Sequence, residues 1–276
     1  MALNSVNTNV GAMIALQNLQ VTNNELSQVQ NRINTGKKVS SAKDNGAIWA
    51  IAQGQRAEIG ALNAVKDSLQ RGQSAVDVSL AAGETVSDLL TQLKEKALSA
   101  TDTSLTSSAR SALNEDFKSI RDQIATVVDN AAFNGVNLLD GSSTGGFAAL
   151  ANVSGSTITV ASQDMSLSGS VVTLGASSEI NTASAATASL ALVTASIDNV
   201  GASLAKLGTG SNSLGTNLTF VGKLQDALEA GVGNLVDADL AKESARLQAL
   251  QTKQQLGVQA LSIANSSTSI LLGLFR

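Results

Sequence analysis

Average usage would give a chain of this length about 14 prolines, and this one has none in 276 residues. Proline removes a backbone donor and clashes with the preceding helical turn. Without it, nothing compels a helix to end, and the apolar residues are spaced for long helices. Near the N-terminus Ala12, Leu19, Leu26 and Ile33 stand seven apart, with Leu16 and Val29 beside the same line. Near the C-terminus Leu240, Leu247 and Leu261 fall at multiples of seven, and Leu250 and Val258 widen the line into a stripe. This is the repeat of amphipathic or coiled-coil helices. Such a helix is marginal alone in water, because packing supplies most helical stability. Each stripe therefore needs a partner.

Charge narrows the kind of partner. Residues 1–24 and 254–275 contain no Asp, Glu, Lys or Arg. Both ends are studded with Gln, Asn, Ser and Thr, so they are too polar to span a bilayer, yet nothing in them resists being surrounded by protein. An exposed coiled coil carries Glu and Lys at its flanking positions, and the C-terminal stretch has neither. An ordinary intramolecular coiled coil is the plain alternative to assembly.

Composition excludes whole classes of chemistry. His and Cys are both absent, which removes the commonest general base, the thiolate nucleophile and the usual transition-metal ligands. No enzyme activity, cofactor or metal is expected. The formal charge of -4 provides no basic stripe, so neither nucleic acid nor membrane insertion is expected. The N-terminus lacks the positive region of a cleavable signal peptide.

In chain order, the first helix should stop at Asn34-Thr35-Gly36, with Gly36 as a left-handed cap and Lys37 and Lys38 near the negative end of the dipole. Ser41-Ala42-Lys43-Asp44 has the form of a capping box, followed by Asn45-Gly46 and a fresh apolar run. From Ile59 to Ala97 the three-four alternation persists, and a helix of roughly 50 residues spans about 75 Å. A polar link at residues 101–108 precedes another helix on Leu113, Phe117, Ile120, Ile124 and Val127. Asn134-Gly135 and Asp140-Gly141 then supply turn chemistry.

Between Ser142 and Ser189 Gly, Ser, Thr and Ala dominate; Thr157–Val160 and Val171–Leu174 read as strands of a small hairpin region with little core. From Leu190 to Leu235 the helical stripe returns despite Gly201, Gly208, Gly210, Gly215 and Gly222, each costing about 1 kcal/mol against Ala. The expected fold is mainly α: an elongated antiparallel helical bundle or coiled coil formed by both chain arms, with a small β-hairpin region in the centre. Asp237 and Asp239 suggest a metal pair, but residues two apart face different sides of a helix; first-turn acids favoured by the dipole are the better reading. Trp49 reads as a packing residue on a helix face rather than a binding hot spot.

Three blocks of sequence resemble bacterial flagellin. Residues 32–44, Arg-Ile-Asn-Thr-Gly-Lys-Lys-Val-Ser-Ser-Ala-Lys-Asp, look like the family's N-terminal signature. Phe133-Asn134-Gly135 with Leu138-Leu139-Asp140-Gly141 looks like the turn closing its N-terminal half. Residues 236–244, with the ending Leu271-Leu272-Gly273-Leu274-Phe275-Arg276, look like its C-terminal signature. Asn45 stands where the family usually has an acid, Trp49 where smaller residues are common, and Thr268 near a usual proline. The short centre resembles the compact alphaproteobacterial type.

The resemblance implies a secreted structural subunit that polymerises into the extracellular flagellar filament for swimming. It implies a terminal coiled coil lining the filament channel (residues 1–40 and 237–276), a helical rod (41–141 and 183–236) and a small outer hairpin region (142–182). The implied assembly interface comprises Leu16, Leu19, Leu26, Ile33, Leu240, Leu247, Leu250, Val258, Leu261, Leu272 and Phe275. Partners implied are identical or sister flagellins, the export apparatus with an export chaperone, and the filament cap and hook-filament junction proteins. A junction protein, with similar terminal helices, is the alternative within the same apparatus. A helical pore-forming toxin is the alternative of another class, but no compact membrane-inserting segment is evident in the sequence.

Overall fold

The computed structural model describes residues 8–273, with side chains through residue 266. Five helices dominate the order: α1 (Val10–Thr35), α2 (Gly46–Ala100), α3 (Ser107–Asp129), α4 (Ala183–Val236) and α5 (Leu240–Gly273). Between α3 and α4 lie four short strands, β1 (Ala132–Phe133), β2 (Val136–Asn137), β3 (Phe147–Leu150) and β4 (Thr157–Val160). They form two separate antiparallel pairs, β1 with β2 and β3 with β4. The chain divides into two compact units, one of residues 1–57 with 227–276 and one of residues 58–226.

Helix boundaries follow local chemistry. Gly36 ends α1 at φ 68°, a left-handed conformation that glycine adopts without penalty. The expected capping box at Ser41 forms by half and starts no helix: the Asp44 carboxylate accepts from the Ser41 amide and from the Ser40 amide (both 3.0 Å), closing a turn, while the Ser41 hydroxyl turns to that carboxylate rather than to the Asp44 N–H. Asn45 then caps α2 by accepting from the Ile48 N–H at 3.1 Å. A carboxylate that can gather two amides and two hydroxyls close by is better satisfied there than by one amide at a helix start. Once begun, α2 runs for 55 residues, in accord with an uninterrupted pattern.

The unit of residues 58–226 is built on helical stripes. On α4 Val193, Val200, Leu207, Leu214 and Val221 stand seven apart and are at most 1% exposed. On α2 Leu62, Leu69, Val76, Val86, Leu90 and Leu93 are buried, as are Phe117, Ile124 and Val128 on α3. Several glycines in these helices serve close approach. A Cβ on Gly83 would lie 2.6 Å from Leu204 Cδ2, on Gly210 2.7 Å from Val160 Cγ1, and on Gly72 2.8 Å from Phe147 Cε1. Packing gained at these contacts offsets the lost helix propensity. α4 also contains an 18-residue window of mean hydropathy 1.3, apolar and long enough by composition to cross a bilayer. That window eluded the reading of the sequence; the helix containing it carries the buried heptad line just described.

The centre departs from expectation in two ways. Thr157–Val160 is a strand, but its partner is Phe147–Leu150, not Val171–Leu174. The latter segment lies against α4, where Thr173 N–H donates to Ser196 Oγ at 3.0 Å and Val171, Val172 and Leu174 are buried. A helix hydroxyl thus takes the amide that a strand partner would have taken. The region also has a real core: Leu138, Leu139, Ala149, Met165, Val172, Leu174 and Ile180 are all fully buried. Polar clamps fix it to α3, with Asn114 Oδ1 accepting from Ile180 N–H (2.7 Å) and Arg121 Nη1 donating to the Ser178 carbonyl (2.8 Å).

Candidate assembly site

The remaining unit, residues 1–57 with 227–276, brings the two chain ends together. α1 and α5 run antiparallel, as three polar cross-links show. Asn9 Nδ2 donates to the Ala264 carbonyl (2.7 Å), Gln254 Nε2 donates to Asn23 Oδ1 (2.7 Å), and Arg32 Nη1 pairs with Glu243 Oε1 (3.1 Å). Asn9 also caps α1 by accepting from Ala12 N–H at 2.9 Å, so one side chain both starts the helix and ties it to α5.

The base of the pair is fixed by main chain. Lys38 N–H donates to the Val236 carbonyl (2.7 Å) and Ala238 N–H to the Gly36 carbonyl (2.9 Å), flanking an isolated bridge between Lys37 and Asp237. Asp239 caps α5 by accepting from the Ala241 and Lys242 amides (3.0 and 3.1 Å). Its carboxylate is thus engaged in capping, while Asp237 sits in the bridge. Beside this junction the Ser40 hydroxyl, then the Ser41 and Ser40 amides, hold the Asp44 carboxyl below its ordinary value.

The Arg32–Glu243 pair stands at the edge of the seam. Glu243 is 9% exposed, and its Oε2, like Arg32 Nε, is buried without a hydrogen bond. Removing one partner would leave a largely buried charge uncompensated. Separated by 211 residues, the two gave no local signal in the sequence.

The expected interface residues divide into two sets. Leu250 is buried (5% exposed), and Leu19, Leu26, Ile33, Leu247 and Leu261 are half-buried. Val29 (1%) and Thr22 (2%) complete the inner seam. Leu16, Leu240 and Val258, by contrast, are 55%, 49% and 54% exposed. The Leu272 side chain and Phe275 lie outside the described residues. A second exposed set was not singled out from sequence: Val10, Met13, Ile14 and Val21 on α1, with Leu256 and Ile263 on α5. Its signal was available, since Leu256 and Ile263 are seven apart and Val10, Ile14 and Val21 keep helical spacing.

Between the helices an open groove of about 430 Å³ is walled by Ile14, Ala15, Leu19, Leu256, Gly257 and Ala260, among others. Gly257 lets α5 approach: a Cβ there would be 3.2 Å from Leu19 Cδ1. Each helix therefore shows one apolar line to its partner and leaves further apolar residues exposed on more than one other side. A helix apolar on more than one side is a helix meant to be surrounded.

Fold and site together define a class: a helical protein whose paired helices α1 and α5 keep apolar side chains exposed. Comparison with known proteins makes the class specific. Residues 6–144 match the bacterial flagellin N-terminal helical region and residues 190–275 the bacterial flagellin C-terminal helical region. The chain belongs to the bacterial flagellins. It is 61% identical over 276 residues to flagellin FljM of Caulobacter vibrioides, covering 100% of both chains. It is 40% identical to a flagellin of Brucella melitensis, covering 99% of each. A solved structure of a putative flagellar hook-associated protein from Vibrio parahaemolyticus shares the fold alone, with TM-score 0.55 and 17% identity over 70% of this chain and 100% of that one.

The resemblance seen in the sequence is thereby borne out, including the compact alphaproteobacterial type. The chain is a structural subunit of the flagellar filament, an extracellular polymer that serves motility.

Proposed function

We propose that the exposed apolar residues of α1 and α5 are the surface through which this flagellin polymerises. The observation that carries the proposal is that both helices are apolar on more than one side. Their inner line closes the α1–α5 seam, and Leu16, Leu240, Leu256 and Val258, spread over more than one further side and each about half exposed or more, have no cover among the described residues. Heterologous contacts that do not close on themselves generate an open helical filament. Neighbouring copies, identical or sister flagellins, would supply the cover.

On this reading residues 1–40 and 237–276 form the channel-lining coiled coil, 41–141 and 183–236 the rod, and 142–182 the outer region. What supports this division is that α1 ends at Thr35, α4 begins at Ala183 and α5 begins at Leu240, each within a few residues of a boundary. Leu272 and Phe275 belong to the proposed interface on the sequence resemblance alone. The cap and hook-filament junction proteins would meet the same helix ends, and the export apparatus with its chaperone would deliver the chain before it folds. The role is mechanical, not catalytic. No observation favours a junction protein or a toxin over the filament subunit, to whose relatives the identity extends across the whole chain.

Polymerisation of purified chain, followed by sedimentation and electron microscopy, tests the proposal with Val258→Glu. A carboxylate placed in a buried seam costs far more than one on a surface, so the variant is expected to stay soluble while keeping wild-type helicity. Normal filaments from Val258→Glu would show that this face of α5 stays in water.

A further inference from the structure

Two Asn–Gly pairs occur in the chain, Asn45–Gly46 and Asn134–Gly135, and the fold places them in opposite circumstances. The amide nitrogen following an asparagine can attack the side-chain carboxamide carbon. A new C–N bond closes a five-membered succinimide, and the carboxamide nitrogen leaves as ammonia with the proton from the attacking amide. Water then opens the ring at either carbonyl, giving Asp or isoaspartate. No oxidant or cofactor is involved, and a following glycine presents no Cβ to shield the nitrogen.

At Asn45 the reacting groups are committed elsewhere. Its Oδ1 accepts from Ile48 N–H at 3.1 Å, its carbonyl accepts from Trp49 N–H at 2.9 Å, and Gly46 is the first residue of the 55-residue α2. Cyclisation there must first break a helix cap. At Asn134 nothing comparable holds the side chain. Asn134 (φ 51°) and Gly135 (φ 80°) form the two-residue loop between β1 and β2. Both are exposed, and a Cβ on Gly135 would meet nothing within 4 Å. Among the described residues no hydrogen bond reaches the Asn134 carboxamide. The flanking strands are two residues each, so the Phe133–Val136 pair that frames the loop can fray without disturbing a helix.

We propose that Asn134–Gly135 is a site of spontaneous deamidation in the folded chain and that Asn45–Gly46 is protected. The two products differ in consequence. Asp at 134 retains the turn, since Asp tolerates the left-handed region. Isoaspartate inserts a methylene into the main chain of a two-residue loop whose length sets strand register. The strain falls on Asn137, which is buried, donates to the Val128 carbonyl (2.7 Å) and accepts from Leu139 N–H (2.8 Å). This is the joint between α3 and the segment that follows, so isoaspartate loosens that joint and Asp does not.

The test incubates full-length soluble chain at mildly alkaline pH, folded or in concentrated urea. Each site is followed by peptide mass mapping and by an isoaspartate-specific methyl-transfer assay. In urea both asparagines should convert at similar rates. In the folded chain Asn134 should continue to convert while Asn45 falls behind by roughly fivefold or more, the factor set by loss of one N-cap. Asn45 keeping pace with Asn134 in the folded chain would overturn the proposal. So would an intact Asn134 after a period in which the unfolded chain has converted.

Discussion

Leu16→Gln separates an exposed apolar residue of α1 from its inner line. Leu16 is 55% exposed in the single chain, so it adds little to the α1–α5 seam. Complete burial of a leucine side chain stabilises by about 1.5–3 kcal/mol. Covering the exposed half in the filament therefore contributes about 0.8–1.6 kcal/mol per subunit. Gln keeps the helix propensity of Leu nearly unchanged but brings a carboxamide that must be desolvated. At tenfold per 1.4 kcal/mol, the critical concentration for polymerisation should rise by about 4- to 15-fold, and further if the carboxamide finds no hydrogen bond. Quantitative sedimentation of seeded polymer against total concentration reads this directly. The melting temperature and helicity of the unpolymerised subunit should not move. Leu250→Ala is the contrast: Leu250 is 5% exposed, and a core truncation of this kind costs about 2–5 kcal/mol, so it should weaken the terminal pair itself. An unchanged critical concentration for Leu16→Gln would refute the reasoning. So would a loss of subunit stability in Leu16→Gln equal to that in Leu250→Ala.

Other consequences follow from single contacts. Asn114→Ala orphans the buried Ile180 N–H and should lower stability by about 1–3 kcal/mol, read from the denaturation midpoint. Gly146→Ala meets both a φ of 68° and a Cβ only 2.1 Å from the Val160 carbonyl oxygen. Amide exchange at Ala149 and Ile158 should rise sharply while α2 and α4 stay protected. The Asp44 carboxyl is held below its ordinary value by the Ser40 hydroxyl and the Ser41 and Ser40 amides, so its contribution is present above the ordinary carboxylate value. It is lost as pH falls through the lower folded value. NMR titration should show the Ser40 and Ser41 amides shifting only in that acidic range, and a shift at the ordinary value would break the assignment.

Much of the fold was legible because few forces competed. With no proline and regular sevens, Val193 to Val221 could hardly be other than one buried helical line. Asn134-Gly135 likewise specified a two-residue turn. The strand Phe147–Leu150 was hidden because Phe-Ala-Ala-Leu has little strand character of its own. It depends on the turn at Gly146, on pairing with β4, and on a Phe147 ring seated against Gly72. Val171–Leu174 errs the other way: its β-branched residues suggest a strand, whereas Ser196 of α4 takes the Thr173 amide and Asn199 the Val171 carbonyl. Gly210 looked like a cost because only the folded structure brings Val160 against it. Within the assembly site, periodicity showed that α1 and α5 carry stripes. It could not assign Leu250 to the inner line and Leu16, Leu240 and Val258 to exposed sides, since that choice depends on how the helices rotate against each other.

The most direct test is a side-chain-resolution reconstruction of the filament formed by the purified chain. Leu16, Leu240, Leu256 and Val258 should each lie within about 4.5 Å of apolar atoms of neighbouring subunits, with the Arg32–Glu243 pair retained inside each subunit. A filament in which those four side chains face water, or a purified chain that forms no filament under any polymerising condition, would contradict the proposal.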